Sequence, residues 1–560
     1  MRRFALTHRL ALLSAIGAAI VLIAIGQRTP ADVDEGFYAI AAELVAHGRL
    51  PYRDYFYPQA PYLPFLLAPL AAIASRFLVE RVFFSLLGAI TAGLIAHGVK
   101  RETGSPLAAV TAATLFTCNE LTWQWIPSIR PYSPAALCMV GATLLASSPQ
   151  RPSLARATLA GALAGLVGGM RLLLLPFVGA IVAALWLRGA RFPRLRALAV
   201  LVLLRVTLWA PGNQQIFVAL WTVPLALLVI AAGRSWWERA RRGLLATVGA
   251  VVALLPLAAL FRLAPEGFLF GNLAFHANRV NAAWPADQVP WWAQRSTYIH
   301  GLFGLVSMNH LSAFAPEFIV LCLLAGFAVI ARPARETVAP TLAAASVLLA
   351  ALVPFPVIEH YFTPAIPLLA LLAGLSLGHL DRALRGPLAP RLALPVCLIA
   401  LHFIVGYPSF HRRWREGLYG DFRLHAFRPR RLDYAAAQVR RVSDRHPGPV
   451  LALWPGSALG LADRMLPGTE NHFARQAPVS MGDPALRDRL HIATVDDVRD
   501  AVIAQTPSVV TLDREVEHMG GNDFRVLLER CGYRREGEVR GVLFVYARIA
   551  RPLDGCARTR

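Results

Sequence analysis

Between Leu10 and Tyr407 the chain is a succession of apolar runs separated by short arginine clusters, and this alternation leaves few folds open to it. A helix that crosses a bilayer needs about 20 mostly apolar residues. Inside lipid, only helices and closed barrels satisfy their own backbone hydrogen bonds. Reading apolar runs against the arginine clusters gives about thirteen candidate spans, from Leu10 to Gly26 through Val82 to Val99, Pro106 to Leu121, Leu244 to Phe261 and Tyr361 to Leu377 to a last one at Leu392 to Tyr407. With 56% hydrophobic and 16% charged residues, the chain is too apolar for a soluble globular protein, where about a quarter of residues are charged. The expectation is an α-helical polytopic membrane protein with about thirteen transmembrane helices.

The net charge of +22 does not point to nucleic acid. The arginines gather between apolar runs instead of lining one face, as the positive-inside rule requires. Arg2, Arg3 and Arg9 precede the first run and place the N-terminus in the cytoplasm. That run is read as a retained anchor, although Ala24 and Gly26 are small enough for a signal-peptide cleavage site. On this topology residues 1–407 form the membrane domain. Its two long loops, 27–81 and 262–311, lie outside, the first with interfacial helices. Residues 408–560 form an extracytoplasmic (periplasmic) α/β domain. Helices are expected at Asp433 to Val442, Val495 to Ala504 and Phe524 to Cys531, and strands at Val450 to Trp454, Val509 to Leu512 and Val542 to Tyr546. The six cysteines show no metal-ligand spacing. Cys531 and Cys556 alone fall in this tail, where a disulfide is one outcome. The chain contains no phosphate loop, dinucleotide fingerprint or internal repeat.

Charge is scarce, so its concentration in the first loop is informative: Asp32, Asp34, Glu35, Glu43 and Asp54 stand with His47, Arg49 and Arg53. Asp34 to Ala46 reads as an amphipathic helix with Phe37, Ile40, Ala41 and Leu44 on one side. Pro61 to Leu78, apolar but broken by Pro64 and Pro69, reads as an interfacial helix ending in Arg76, Glu80 and Arg81. On spacing alone, Asp34 is as well explained as a helix cap that complements the helix dipole.

Asp34-Glu35-Gly36-Phe37-Tyr38, followed by HGRLPYRDYFYPQAPYLPFLLAPLA, resembles the GT-C superfamily of integral-membrane glycosyltransferases. It is most similar to the bacterial branch related to protein O-mannosyltransferases and the lipid A aminoarabinose transferase. Glu359-His360-Tyr361-Phe362-Thr363-Pro364 is similar to an aromatic, proline-rich span late in those proteins. The resemblance implies an inverting hexosyl- or pentosyltransferase of a bacterial inner membrane. Its donor would be a polyprenyl-phosphate sugar, and its acceptor a lipid, glycan or protein reached from the periplasmic face. Such chemistry needs a carboxylate to take the acceptor proton, groups that hold the departing phosphate, and an apolar groove for the prenyl chain. The resemblance assigns Asp34 as general base and puts Glu35, Tyr38, Arg53, Asp54 and Gln59 around the substrate. Two positions depart from the family pattern. Ala60 stands where relatives carry a lysine for the lipid phosphate, and Arg130-Pro131 is followed by Tyr132-Ser133 where a second acid is common.

Further candidates for the phosphate or sugar are Arg130 beside Trp125 at the outer boundary, His276 and Arg279 three residues apart, and His360 with Tyr361. Each also has a structural reading, as a snorkelling arginine or an ordinary loop residue. Arg171 interrupts apolar sequence and is a functional candidate on that ground, although the topology places it in a tight outer turn. Asp34, Glu35 and a histidine could hold a divalent metal, but no spacing demands it, so neither metal nor cofactor is expected. The partners expected are the lipid-linked donor, the acceptor and membrane lipid, with no nucleic acid. A flippase or transporter of lipid-linked sugars, and a non-catalytic assembly protein for envelope glycans, are the alternatives. A transporter would line a path through the bilayer with charge, whereas here, Arg171 and Arg205 apart, charge collects on one side.

Overall fold

The computed structural model describes residues 2–147, 153–187, 236–277, 316–331, 335–354, 359–383, 393, 395–404, 427–476, 483–513, 515–549 and 556. The expected hairpin at 197–232, Arg205, Arg279 and most of the loop 262–311 lie outside these residues. So does the junction at 407–408.

The membrane part is helical. In chain order it contains α1 (Arg2–Gly26), α2 (Val33–Ala46), α3 (Tyr62–Ile73), α4 (Phe77–Thr103), α5 (Pro106–Thr117), α6 (Glu120–Trp125), α7 (Tyr132–Ser147), α8 (Leu154–Met170) and α9 (Pro176–Leu187). Then follow α10 (Trp236–Leu263), α11 (Pro316–Ala331), α12 (Val338–Ala351) and α13 (Ile366–Ala383). Among the described residues, four segments are long and apolar enough to cross a membrane: Thr7–Gly26, Phe77–Thr103, Ala240–Leu263 and Glu359–Ala383. The other apolar helices among the described residues run 10 to 17 residues. Prolines 106, 176, 316 and 395 open helices, where a missing N–H costs nothing. Small residues set the packing of α8 on α10: a Cβ on Gly161 would lie 1.8 Å from the Ala246 carbonyl oxygen. Removing that atom lets two backbones meet where lipid provides no hydrophobic drive between helices. The central helix α13 is buried from Ile366 to Gly378.

The interfacial helix α3 ends at Ile73, and Glu80 and Arg81 belong instead to the first turns of α4, where both are buried. Arg81 looked like a boundary residue because its partner, Glu35, is remote in sequence. Helix α2 also departs from expectation. It is buried on every side from Glu35 to Leu44 instead of along one stripe, because the C-terminal part covers its outer face.

That part begins with α14 (Pro429–Arg445) and carries a four-stranded sheet of β1 (Val450–Ala452), β2 (Val509–Leu512), β3 (Tyr533–Val539) and β4 (Leu543–Arg548), ordered β1-β2-β4-β3. β1 and β2 pair in parallel, and β4 is antiparallel to both of its neighbours. Alternate residues of β1 face opposite layers. Val450 and Ala452 pack with Leu432, Ala435 and Val439 of α14, and Leu451 packs with Val498, Phe524 and Leu528. β3 was not anticipated: its sequence YRREGEV is polar because it is an edge strand with exposed Arg534 and Arg535. Cys531 and Cys556 are joined by a disulfide.

The tail docks on the first loop through specific contacts. Trp454 Nε1 donates to the Val33 carbonyl at 2.8 Å, and the Glu43 carboxylate accepts from the Gly460 and Ala462 N–H groups at 2.7 and 3.3 Å. Asp433 of α14 caps α4 from outside, accepting from the N–H groups of Phe77 and Leu78 at 2.7 and 3.2 Å. Gly36 is the close-approach point, since a Cβ there would sit 2.7 Å from the Gly456 nitrogen and from Trp454 Nε1. Gly36→Ala is therefore expected to cost about 1–3 kcal/mol and to expose the tail to protease; an unchanged melting temperature would show that Trp454 yields freely.

Burial raises the Glu43 carboxyl to about 7, with the two N–H bonds opposing. A carboxyl raised in the folded state adds stability that is complete below its unfolded value of 4.5 and is lost as pH climbs through about 7. The melting temperature should accordingly fall between pH 5 and 7.5 (roughly the interval between those two values), and Glu43→Gln should flatten that slope.

Candidate active site

The site is assembled at the N-terminal turn of α2. Asp32 caps the helix: its carboxylate accepts the Asp34 N–H at 3.3 Å, and its own N–H donates to Glu35 Oε1 at 2.8 Å, a reciprocal capping box. The capping reading considered for Asp34 thus falls to Asp32. Asp34, the second residue of the helix, keeps an 18% exposed side chain whose Oδ2 lies 2.7 Å from Arg130 Nη2. Arg130 also bridges to Asp32, so one guanidinium serves two carboxylates. It lies 4.7 Å over the Trp125 ring and is buried.

Glu35 faces the other way. Its Oε1 lies 2.5 Å from Arg81 Nη2, its Oε2 accepts from Arg81 Nε at 2.8 Å and from the Ile129 N–H at 3.0 Å, and it is wholly buried. The substrate contact expected of Glu35 gives way to a framework role, because every lone-pair direction points at protein. Among the described residues no group of three His, Cys, Asp or Glu side chains is placed to hold a metal ion.

Around Asp34 stand aromatic rings and a second arginine. Tyr38 Oη donates to Gln59 Oε1 at 2.6 Å. Burial, reinforced by Asp34, holds the Tyr38 phenol well above its ordinary value, and Arg171 pulls it back. Arg171 Nη1 donates to Tyr132 Oη at 2.6 Å, and its guanidinium lies 5.4 Å over the Tyr132 ring and 4.9 Å over the Tyr361 ring. His360 sits between Trp125, Tyr132 and Tyr361, with ring centroids 5.1, 6.0 and 4.5 Å away. Residues from α2, the turn after α6, the start of α7, the α8–α9 turn and the segment before α13 therefore meet in one place. Among the described residues Arg171 is paired with no carboxylate, in contrast to Arg130. Tyr132 was absent from the sequence-derived site residues; Arg171, a candidate as a lone arginine between two apolar runs, is the group it joins.

Other expected residues lie aside. Arg53 and Asp54 pair with each other at 2.8 Å near the surface, and His491 Nε2 is 2.6 Å from the Arg53 carbonyl oxygen. Their charges are spent locally, beside the tail. His276 is exposed, with Nε2 2.7 Å from the Pro58 carbonyl oxygen, so it buttresses the strand of chain that presents Gln59. The same stretch is held by Tyr52, whose backbone adopts φ +70° and whose hydroxyl donates to the Gln59 carbonyl. Ala60 is buried.

These features define a helical membrane protein whose first extramembranous loop, clamped by an α/β unit, carries an acidic and aromatic centre. Its fold is that of ArnT from Cupriavidus metallidurans. The ArnT structure solved with bound undecaprenyl phosphate superposes with a TM-score of 0.57 and 14% identity, over 96% of this chain and 98% of that one. The apo structure of the same protein gives 0.52 and 14% over the same shares. At this identity the likeness establishes the fold. No protein-family model matches the chain, and no curated protein matches it in sequence.

Breaking the Glu35–Arg81 pair is expected to be costly. Glu35→Ala strands a buried guanidinium and should destabilise by about 3–5 kcal/mol, whereas Asp34→Asn, partly exposed, should shift the melting temperature far less. Equal shifts would contradict the division between the two acids.

Proposed function

We propose that the protein is a glycosyltransferase that moves a sugar from a polyprenyl-phosphate donor to an envelope acceptor at the periplasmic face of the inner membrane. The observation that carries this reading is the convergence of Asp34 with Arg171, which meets no carboxylate among the described residues, inside a wall of Tyr38, Tyr132, Tyr361 and His360. The ArnT fold, whose solved example holds undecaprenyl phosphate, supports a lipid phosphate as the donor's anchor.

In this mechanism the acceptor hydroxyl attacks the anomeric carbon while the bond from that carbon to the phosphate oxygen breaks. The configuration inverts in one displacement. Asp34 takes the hydroxyl proton as the bond forms. Arg130, at 2.7 Å, orients the Asp34 carboxylate. The charge that develops on the departing phosphate is met by Arg171, which replaces the lysine missing at Ala60 and is steadied by Tyr132. Tyr38 and Gln59 hold sugar hydroxyls, and the rings of Tyr361 and His360 pack against the sugar face.

The test is transfer from radiolabelled polyprenyl-phosphate sugars in membranes containing the protein. Asp34→Asn should lower the rate by about 10²–10⁴-fold with normal expression. Arg171→Gln should lower it while leaving the fold intact. Full transfer by Asp34→Asn would remove Asp34 as base, and lipid-linked sugar crossing the bilayer without transfer would favour a flippase.

A further inference from the structure

A second site lies away from this centre, where the tail meets the start of α4. A cavity of about 230 Å³ opens between Ser75 and Arg76, just before α4, and Asp433, Tyr434, Ala437 and Arg440 of α14. That is several times the ~30 Å³ share of one water. Its wall holds two arginines and one acid. Asp433 turns both oxygens to the N–H groups of Phe77 and Leu78 and also attracts Arg76 and Arg440, which leaves the wall with one more cation than anion. Arg440 uses Nη1 on the Leu459 carbonyl at 2.6 Å. Arg76 is exposed and donates no side-chain hydrogen bond among the described residues. The cavity therefore offers guanidinium donors to an anion.

Its position says which anion. Phe77–Thr103 is long and apolar enough to cross the membrane, so residues 75–76 stand at the membrane–water boundary. Immediately before them α3 turns an apolar face outward: Ile73 is 85% exposed, with Phe65 and Leu66 on the same side. On α14 the outward residues Arg430, Tyr434 and Arg441 follow at spacings of four and seven, one helical stripe that is basic with a tyrosine in it, and Arg445 beyond them pairs with Glu536 at 3.2 Å. A tyrosine flanked by arginines above an apolar face is the composition of a surface that meets lipid headgroups. A soluble anion would have no use for the face of α3.

We propose that this cavity binds the headgroup phosphate of an anionic phospholipid, seated between Arg76 and Arg440 with its acyl chains along Phe65, Leu66 and Ile73. The lipid ties the tail helix α14 to the bilayer beside the helix start that Asp433 caps. This site does not depend on the transfer chemistry and would stand if that reading failed.

The experiment uses the full-length protein in detergent. Melting and lipid retention are measured with phosphatidylglycerol, phosphatidylcholine or inorganic phosphate added, for wild type, Arg76→Gln and Arg440→Gln. Phosphatidylglycerol should be retained over phosphatidylcholine and should raise the melting temperature. Each substitution should weaken retention about fivefold. Arg440→Gln also removes the bond to Leu459, so Arg76→Gln, at an exposed position, is the cleaner variant. Equal retention of the two lipids, undiminished selectivity in Arg76→Gln, or equal stabilisation by inorganic phosphate would each overturn the proposal.

Discussion

The ion pair between Glu35 and Arg81 is the contact on which the arrangement of the site rests. Two charges taken out of water are tolerated only when their remaining hydrogen-bonding capacity is filled, and here it is. Arg81 donates to the carbonyls of Gly26, Thr29 and Pro30 as well as to Glu35, and Glu35 accepts from Asp32 and Ile129 in addition. One buried pair thus fixes the exit of α1, the start of α2, the first turns of α4 and the turn after α6. Because the Ile129 N–H is anchored on Glu35, the next residue, Arg130, is delivered to Asp32 and Asp34.

The α/β tail acts on the same helix from the opposite side. Trp454 lies on Gly36 and holds the Val33 carbonyl, and Glu43 reaches the N–H groups of residues 460 and 462. A helix that would be an amphipathic surface element in isolation becomes the shared core of two units. The carboxylate of Asp34 is thereby placed on a rigid element instead of a loop, which is what positioning a reacting group within hydrogen-bond reach requires.

The electrostatic division of labour follows from geometry. Arg130 is shared by two carboxylates and is neutralised on the spot, while Arg171 is held by a phenol and two aromatic faces that do not cancel its charge. A cation supported in this way remains available to an anionic ligand.

The sequence by itself determined the helical class, since apolar runs in lipid have no other way to satisfy their backbone, and most tail elements, whose periodicity and glycine stops are local. It also singled out Asp34, His360 and Arg130 as parts of one place, through motif resemblance and the scarcity of charge. Only the tertiary structure decided that Glu35, adjacent to Asp34, turns inward to Arg81, that Arg53 and Asp54 cancel each other at the surface, and that Arg171 joins Tyr132 and Tyr361. The edge strand at Tyr533–Val539 and the burial of Glu80 and Arg81 likewise escaped local reading. For Glu35, Arg171 and Arg130, whether the charge is structural or available depends on partners 39 to 98 residues away, Arg81, Tyr132 and Asp32 respectively, and no local periodicity encodes such a pairing.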